Sequence, residues 1–114
     1  MLLAIDCGNS NTVFAVYNSE EQVGRWRLST DPNRTADEYA VWLTQLLALE
    51  NLPRSEIDAI IIANVVPDIA FNLDTLCRTH FNLEPIVVGR CGVDLGIDIL
   101  IDNPSEVGAD RLVN

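Results

Sequence analysis

Two short stretches hold the residue types that could do chemistry. The first is AIDCGNSNT, residues 4–12, where Asp6 ends an apolar run and Gly8, Asn9, Ser10, Asn11 and Thr12 follow almost at once. A turn of that composition can aim backbone N–H groups and hydroxyls at one point and so wrap phosphate oxygens. A carboxylate just in front of it can hold a hydrated Mg²⁺, a hard ion that prefers oxygen ligands and bridges phosphates. The same residues can equally make a self-contained turn, with Asp6 accepting amide hydrogen bonds from Asn9 or Ser10. On these residues alone both readings stand.

The second stretch is DNPSEVGADRLVN, residues 102–114. Gly108 lets a ligand approach the backbone closely, and Asp110 and Arg111 place opposite charges side by side. Adjacent helical residues point about 100° apart, so each can face a different part of one ligand. Asp110 could accept a hydroxyl proton, and Arg111 could grip a carboxylate through its two-pronged fork. The alternative is an acid favoured by a helix N-terminus beside a solvated arginine.

Other chemistries are excluded or weakened. The chain has neither the Gly-x-x-x-x-Gly-Lys-Ser/Thr nor the Gly-x-Gly-x-x-Gly pattern, so P-loop and Rossmann modes of nucleotide binding fail. Cys7, Cys77 and Cys91 are an odd, widely spaced set without a Cys-x-x-Cys pair, which fits reduced thiols in a cytoplasmic protein. His80 is the single histidine, near the end of an expected helix, in a structural or solvent-facing place. A net charge of −10 over 114 residues argues against a nucleic-acid partner. No apolar run approaches the ~18 residues of a membrane span, and no basic run precedes the first apolar stretch as in a signal peptide.

The elements that must position these stretches follow from periodicity. Leu2 to Ile5 and Val13 to Tyr17 read as strands joined by a Gly8–Thr12 turn, a hairpin, with Gln22 to Ser29 as a third strand. On such a strand Cys7 faces away from Asp6, into the core. Thr35 and Glu38 form a capping box, and Tyr39, Trp42, Leu43, Leu46 and Leu47 follow at helical spacing until Asn51 and Pro53 close the helix. Ile57 to Ala63 is a near-continuous apolar run, expected as a central strand buried on both faces. Pro67 opens a second helix with Ile69, Leu73, Leu76 and Cys77 as its stripe. Pro85 to Val88 and Ile97 to Ile101 are further short strands, and Glu106 to Asn114 begins another helix. Antiparallel strands followed by helix-linked strands imply an α/β fold, a mixed sheet with helices packed against it, in outline a ribonuclease H-like, actin-type half.

The motifs AIDCGNSNT, Val65-Val66-Pro67 after the central strand, and above all DNPSEVGADRLVN resemble those of type III pantothenate kinase, across the whole chain. The resemblance implies an actin-like ATPase superfamily fold of two domains and a homodimer with active sites at the subunit interface. It also implies the first step of coenzyme A biosynthesis, in which ATP and pantothenate give ADP and 4'-phosphopantothenate with Mg²⁺ and a monovalent cation, K⁺ or NH₄⁺. By position, Asp6, Cys7, Gly8, Asn9, Ser10, Asn11, Thr12 and Val13 match the family's first phosphate-binding motif, with Asp6 acting on the metal–phosphate group. Gly108, Ala109, Asp110 and Arg111 match its pantothenate-binding stretch, with Asp110 as general base, Arg111 as substrate clamp and Asn9 as a further substrate contact. The chain departs from many members in carrying Ser10 for threonine, which keeps the hydroxyl, and Ile101 for tyrosine, which loses a hydrogen bond to pantothenate.

The resemblance further implies that residues 1–114 are an N-terminal half ending at the start of the inter-domain helix. The family's second glycine-rich motif and the ligands of the monovalent cation would then lie beyond Asn114, and the segment alone should be inactive. A cytoplasmic enzyme is expected. Two other readings compete: a non-catalytic kinase-like module that dimerises or regulates, and another actin-like phosphotransferase such as a sugar kinase, which has no reason to carry the GADR run.

Overall fold

Strand alternation decides the layout. A computed structural model describes residues 1–88. In it β1 (Leu2–Cys7) and β2 (Asn11–Asn18) form an antiparallel hairpin, and β3 (Glu21–Ser29) pairs antiparallel with β2. On the other side of β1 lies β4 (Ala59–Asn64), parallel to it, and β5 (Ile86–Val88) runs parallel to β4. The order is β3-β2-β1-β4-β5, the mixed sheet expected from a meander followed by helix-linked strands. The strand expected over 97–101 and the helix start expected from Glu106 lie outside the described residues.

The sheet has two unlike faces. Leu3, Ile5 and Cys7 of β1, Phe14 and Val16 of β2, and Ile60 and Ile62 of β4 are buried on one side, in the same cluster as the helices. Helix α1 (Ala36–Leu49) lays Tyr39, Ala40, Leu43 and Leu47 on this face. Trp42 and Tyr39 meet Phe14, with ring centroids at 5.2 and 6.0 Å. The second helical segment runs through a 3₁₀ turn at Pro67–Ile69, α2 (Ala70–Thr75) and a wider π turn at Leu76–His80. Its stripe of Ile69, Leu73, Leu76 and Cys77 is buried as the spacing predicts. The opposite face carries Ala4, Ala15, Tyr17 and Ile61 as a smaller buried cluster. With Ile60, Ile61 and Ile62 all buried, β4 is the doubly covered central strand expected.

The ends of α1 are built as the local residues dictate. The Thr35 hydroxyl accepts from the Glu38 N–H at 3.2 Å, and the Glu38 carboxylate accepts from the Thr35 N–H at 2.8 Å, completing the capping box. At the other end Asn51 adopts φ 60°, which asparagine tolerates better than most residues. There the Leu52 N–H reaches back to the Leu47 carbonyl at 2.8 Å and the Asn51 N–H to Ala48 at 3.0 Å. This pair of hydrogen bonds closes the helix after Leu49, with Glu50 as its C-cap. A tie between the helices completes the layer: His80 Nε2 lies 3.0 Å from Asp37 Oδ1, which gives the single histidine the structural place expected of it.

Thr35→Ala removes one N-terminal acceptor and leaves the packing of α1 intact. The substitution is expected to lower stability by about 1 kcal/mol, read as a lower urea midpoint at unchanged slope. An unchanged midpoint would show that the capping box contributes nothing to the native state.

Candidate active site

Because β1 and β4 are parallel, their carboxyl ends, Cys7 and Asn64, meet at the same edge of the sheet. Ligands of open α/β sheets sit beyond such ends. There the chain turns from β1 into β2 through Gly8, Asn9 and Ser10, shorter than the Gly8–Thr12 turn expected. Thr12 pairs with Cys7 as the last rung of the ladder, and its side chain is completely buried. Thr12 leaves the turn because its hydroxyl finds partners inside, at 2.9 Å from the Thr30 hydroxyl and 3.4 Å from Cys7 Sγ.

Thr30, just after β3, holds the turn from below. Its hydroxyl donates to the Gly8 carbonyl at 2.8 Å, and its N–H donates to the Ser10 carbonyl at 2.9 Å. The Gly8 N–H closes the turn on the Asn11 carbonyl at 2.9 Å. Two turn carbonyls are thus engaged, whereas among the described residues the Asn9 and Ser10 N–H groups meet no acceptor. A turn with engaged carbonyls and unengaged N–H groups suits an anion.

Asp6 stands on the face opposite the helices. Across the five strands it lies in one row with Val88, Ala63, Val13 and Arg27; the next row holds Ile86, Ile61, Ala4, Ala15 and Arg25. The residues around the carboxylate are mostly small, and a cavity of about 440 Å³ opens over it. Asp6, Gly8, Asn9, Asn11 and Val13 line it together with Arg25 and Arg27 of β3 and Val65 beyond β4. Cys7 reaches the lining too, but its thiol is buried among the core residues, so only its backbone can serve there. Ser10 is exposed and lies outside the lining.

No described residue donates a hydrogen bond to the Asp6 carboxylate, and the amide bonds from Asn9 or Ser10 considered above are not made among the described residues. Burial pushes its pKa from 3.8 up to about 6, with the Arg25 guanidinium pulling partly the other way. A half-buried carboxylate without donors is electrostatically incomplete and favours a cation. Among the described residues no cluster of three or more His, Cys, Asp or Glu side chains can hold a metal alone. Asp6 could supply one oxygen of a shell completed by water and phosphate, the mode usual for Mg²⁺. The expected partners Gly108, Ala109, Asp110 and Arg111 lie outside the described residues.

Sequence reasoning missed Arg25, Arg27 and Thr30. A signal for the arginines was available: Trp26 and Leu28 are the apolar members of β3, so residues 25 and 27 must face the other way, onto the Asp6 side. Thr30 carried no such signal, because its role depends on tertiary contact.

A mixed sheet of order β3-β2-β1-β4-β5, antiparallel in its first three strands and parallel beyond, with helices packed on it, is the ribonuclease H-like architecture. A solved structure carried under the name N-acetylglucosamine kinase, from Porphyromonas gingivalis, matches 77% of this chain and 33% of its own with a TM-score of 0.57 and 18% identity, a likeness of fold alone. The family model described as type III pantothenate kinase matches residues 2–114, and the chain belongs to that family. Proteins named type III pantothenate kinase from Paramagnetospirillum magneticum and Rhodospirillum rubrum are 64% and 60% identical over all 114 residues. The chain spans 44% of the length of each.

The Asp6 shift predicts a pH dependence with a definite sign. The native state binds this proton more tightly than the unfolded chain. The resulting stabilisation is complete below pH 3.8 and is lost as pH rises to about 6. Asp6→Asn removes the ionised form, so the variant should be the more stable at pH 7.5, by up to about 3 kcal/mol, with the gap shrinking toward pH 4. Urea midpoints measured from pH 4 to 7.5 check this; parallel curves would contradict it.

Proposed function

We propose that the protein phosphorylates the primary alcohol of pantothenate with ATP, giving ADP and 4'-phosphopantothenate, the first step of coenzyme A biosynthesis. The observation that carries this reading is the match of the type III pantothenate kinase family to residues 2–114. The cavity over Asp6, with its turn N–H groups and two guanidiniums, supports it independently, because that chemistry suits a metal-bound phosphate chain. The relatives' greater length supports reading residues 1–114 as the first of two domains, and the family likeness supports a cytoplasmic homodimer whose interface completes the site. The ligands of an activating K⁺ or NH₄⁺ would come from beyond these residues.

The roles divide as follows. Asp6 would hold Mg²⁺, which when bound would supply charge neutralisation for phosphoryl transfer. The turn from Gly8 to Asn11 cradles phosphate oxygens, and Asn9 also touches pantothenate. Cys7, Thr12 and Val13 shape the turn, the first two from inside the core. Asp110 accepts the hydroxyl proton as the alcohol oxygen meets the phosphorus in line, and Arg111 grips the acceptor's carboxylate, with Gly108 and Ala109 allowing close approach. Phosphoryl transfer asks for positioning and charge stabilisation rather than a covalent nucleophile, so a site without a Ser–His or Cys–His pair is sufficient.

Asp110→Asn in the full-length protein should lower kcat by ~10²-fold or more at unchanged thermal midpoint, measured by ADP release with pantothenate as acceptor. Near-wild-type turnover would remove Asp110 from the mechanism. If the wild-type protein binds neither ATP nor pantothenate in a calorimetric titration, a non-catalytic kinase-like module replaces the enzyme reading.

A further inference from the structure

Five arginines fall within the described residues, and the chain has no lysine. Arg78 is held by Asp74 at 2.9 Å, and Arg34 donates to the Ser29 carbonyl at 3.1 Å. Arg25, Arg27 and Arg54 are exposed, and none of their side chains forms an ion pair or hydrogen bond with any described residue. Of these three, Arg25 and Arg27 both line the cavity that contains Asp6, and Arg54 does not. In a chain of net charge −10, two guanidiniums without a hydrogen-bonded partner on one wall of a cavity that holds a single carboxylate, Asp6, are an uneven distribution of charge that calls for an anionic ligand.

Their place follows from the register. Trp26 pairs with Phe14 in the row that faces α1, which turns Arg25 and Arg27 to the other side. Arg27 shares a row with Val13 and Asp6; its side chain has only the Val13 side chain to cross before reaching the space above Asp6. Arg25 sits one row further from the turn, level with Ala15 and Ala4, whose small side chains leave that space open. The two therefore flank the cavity on the side opposite Val65, with the turn N–H groups at its end.

We infer that Arg27, assisted by Arg25, is a phosphate-binding residue that grips the anionic oxygens of the nucleotide's phosphate chain held over Asp6. This rests on the phosphotransfer reading above and adds to it a wall that the hairpin motif does not contain. The guanidinium fork matches two oxygens of one phosphoryl group or bridges two neighbouring groups, and its charge is independent of pH. The metal on Asp6 and the fork on Arg27 would then hold the chain from two sides, with Arg25 supplying a second, more distant positive charge.

The test uses the full-length protein with Arg27→Gln, Arg27→Lys and Arg25→Gln. Calorimetric titration with magnesium ATP and with inorganic tripolyphosphate is set beside steady-state kinetics. Arg27→Gln should weaken both ligands and raise KM for ATP by ~5–20-fold, the scale of one charged hydrogen-bonding partner, while KM for pantothenate stays within ~2-fold. Arg27→Lys should recover part of the loss and Arg25→Gln should show a smaller one, all at unchanged thermal midpoint because both side chains are exposed. Unchanged affinity for ATP and tripolyphosphate in Arg27→Gln overturns the inference. So does a rise confined to KM for pantothenate, which would assign the fork to the acceptor's carboxylate. Weakened tripolyphosphate binding in a protein whose wild type does not turn over pantothenate upholds the inference and counts against the enzymatic reading alone.

Discussion

The row Ile62–Ile5–Phe14–Trp26, packed under Tyr39 and Trp42 of α1, is the constraint on which the rest depends. Side chains on a strand alternate strictly, so burying this row against the helices commits every neighbouring residue to the opposite face. Asp6, Val13, Arg25 and Arg27 reach the cavity for that reason and no other. A slip of one residue in β1 would turn the Asp6 carboxylate into the apolar layer and bring the Cys7 thiol out. The aromatic contacts on one face therefore determine the chemistry on the other.

That arrangement works against stability at the site itself. Asp6 is half-buried among Ala63, Val13 and Ala4 with no hydrogen-bond donor among the described residues, and it lifts its own pKa as a result. An apolar side chain would fit the surrounding row better. The turn beyond shows the same bias: Thr30 engages the carbonyls of Gly8 and Ser10 and leaves outward N–H groups without acceptors. Negative charge wanting a cation and N–H groups wanting an anion stand within one cavity. A metal-bound phosphate chain satisfies both at once, and neither feature has a purpose in an isolated folded domain.

Much of the fold was legible because local and tertiary preferences agree. The capping box at Thr35 and Glu38, the asparagine stop at Asn51 and the continuous apolar run of β4 each point to one structure only. The hairpin was legible too, but its limits were not. Composition drew Thr12 into the turn, and only the Thr30 hydroxyl, 18 residues away, explains why it is instead a buried ladder residue. The site divides in the same way. Asp6 and its turn are contiguous in sequence and could be read as one motif. Alternation with Trp26 and Leu28 puts Arg25 and Arg27 on the Asp6 face, but only strand pairing brings them beside Asp6, and nothing in the sequence separates an arginine that meets a ligand from one that meets solvent.

Cys7 adds a property of its own. Its thiol is sealed in the core directly behind the turn, with burial raising its pKa, so an alkylating reagent cannot reach it while β1 remains in the sheet. Modification there would require β1 to separate from β2 or α1 to lift. The rate at which this one sulfur becomes reactive thus times the opening of the strand that carries Asp6, and a ligand clasped across the turn would slow that clock.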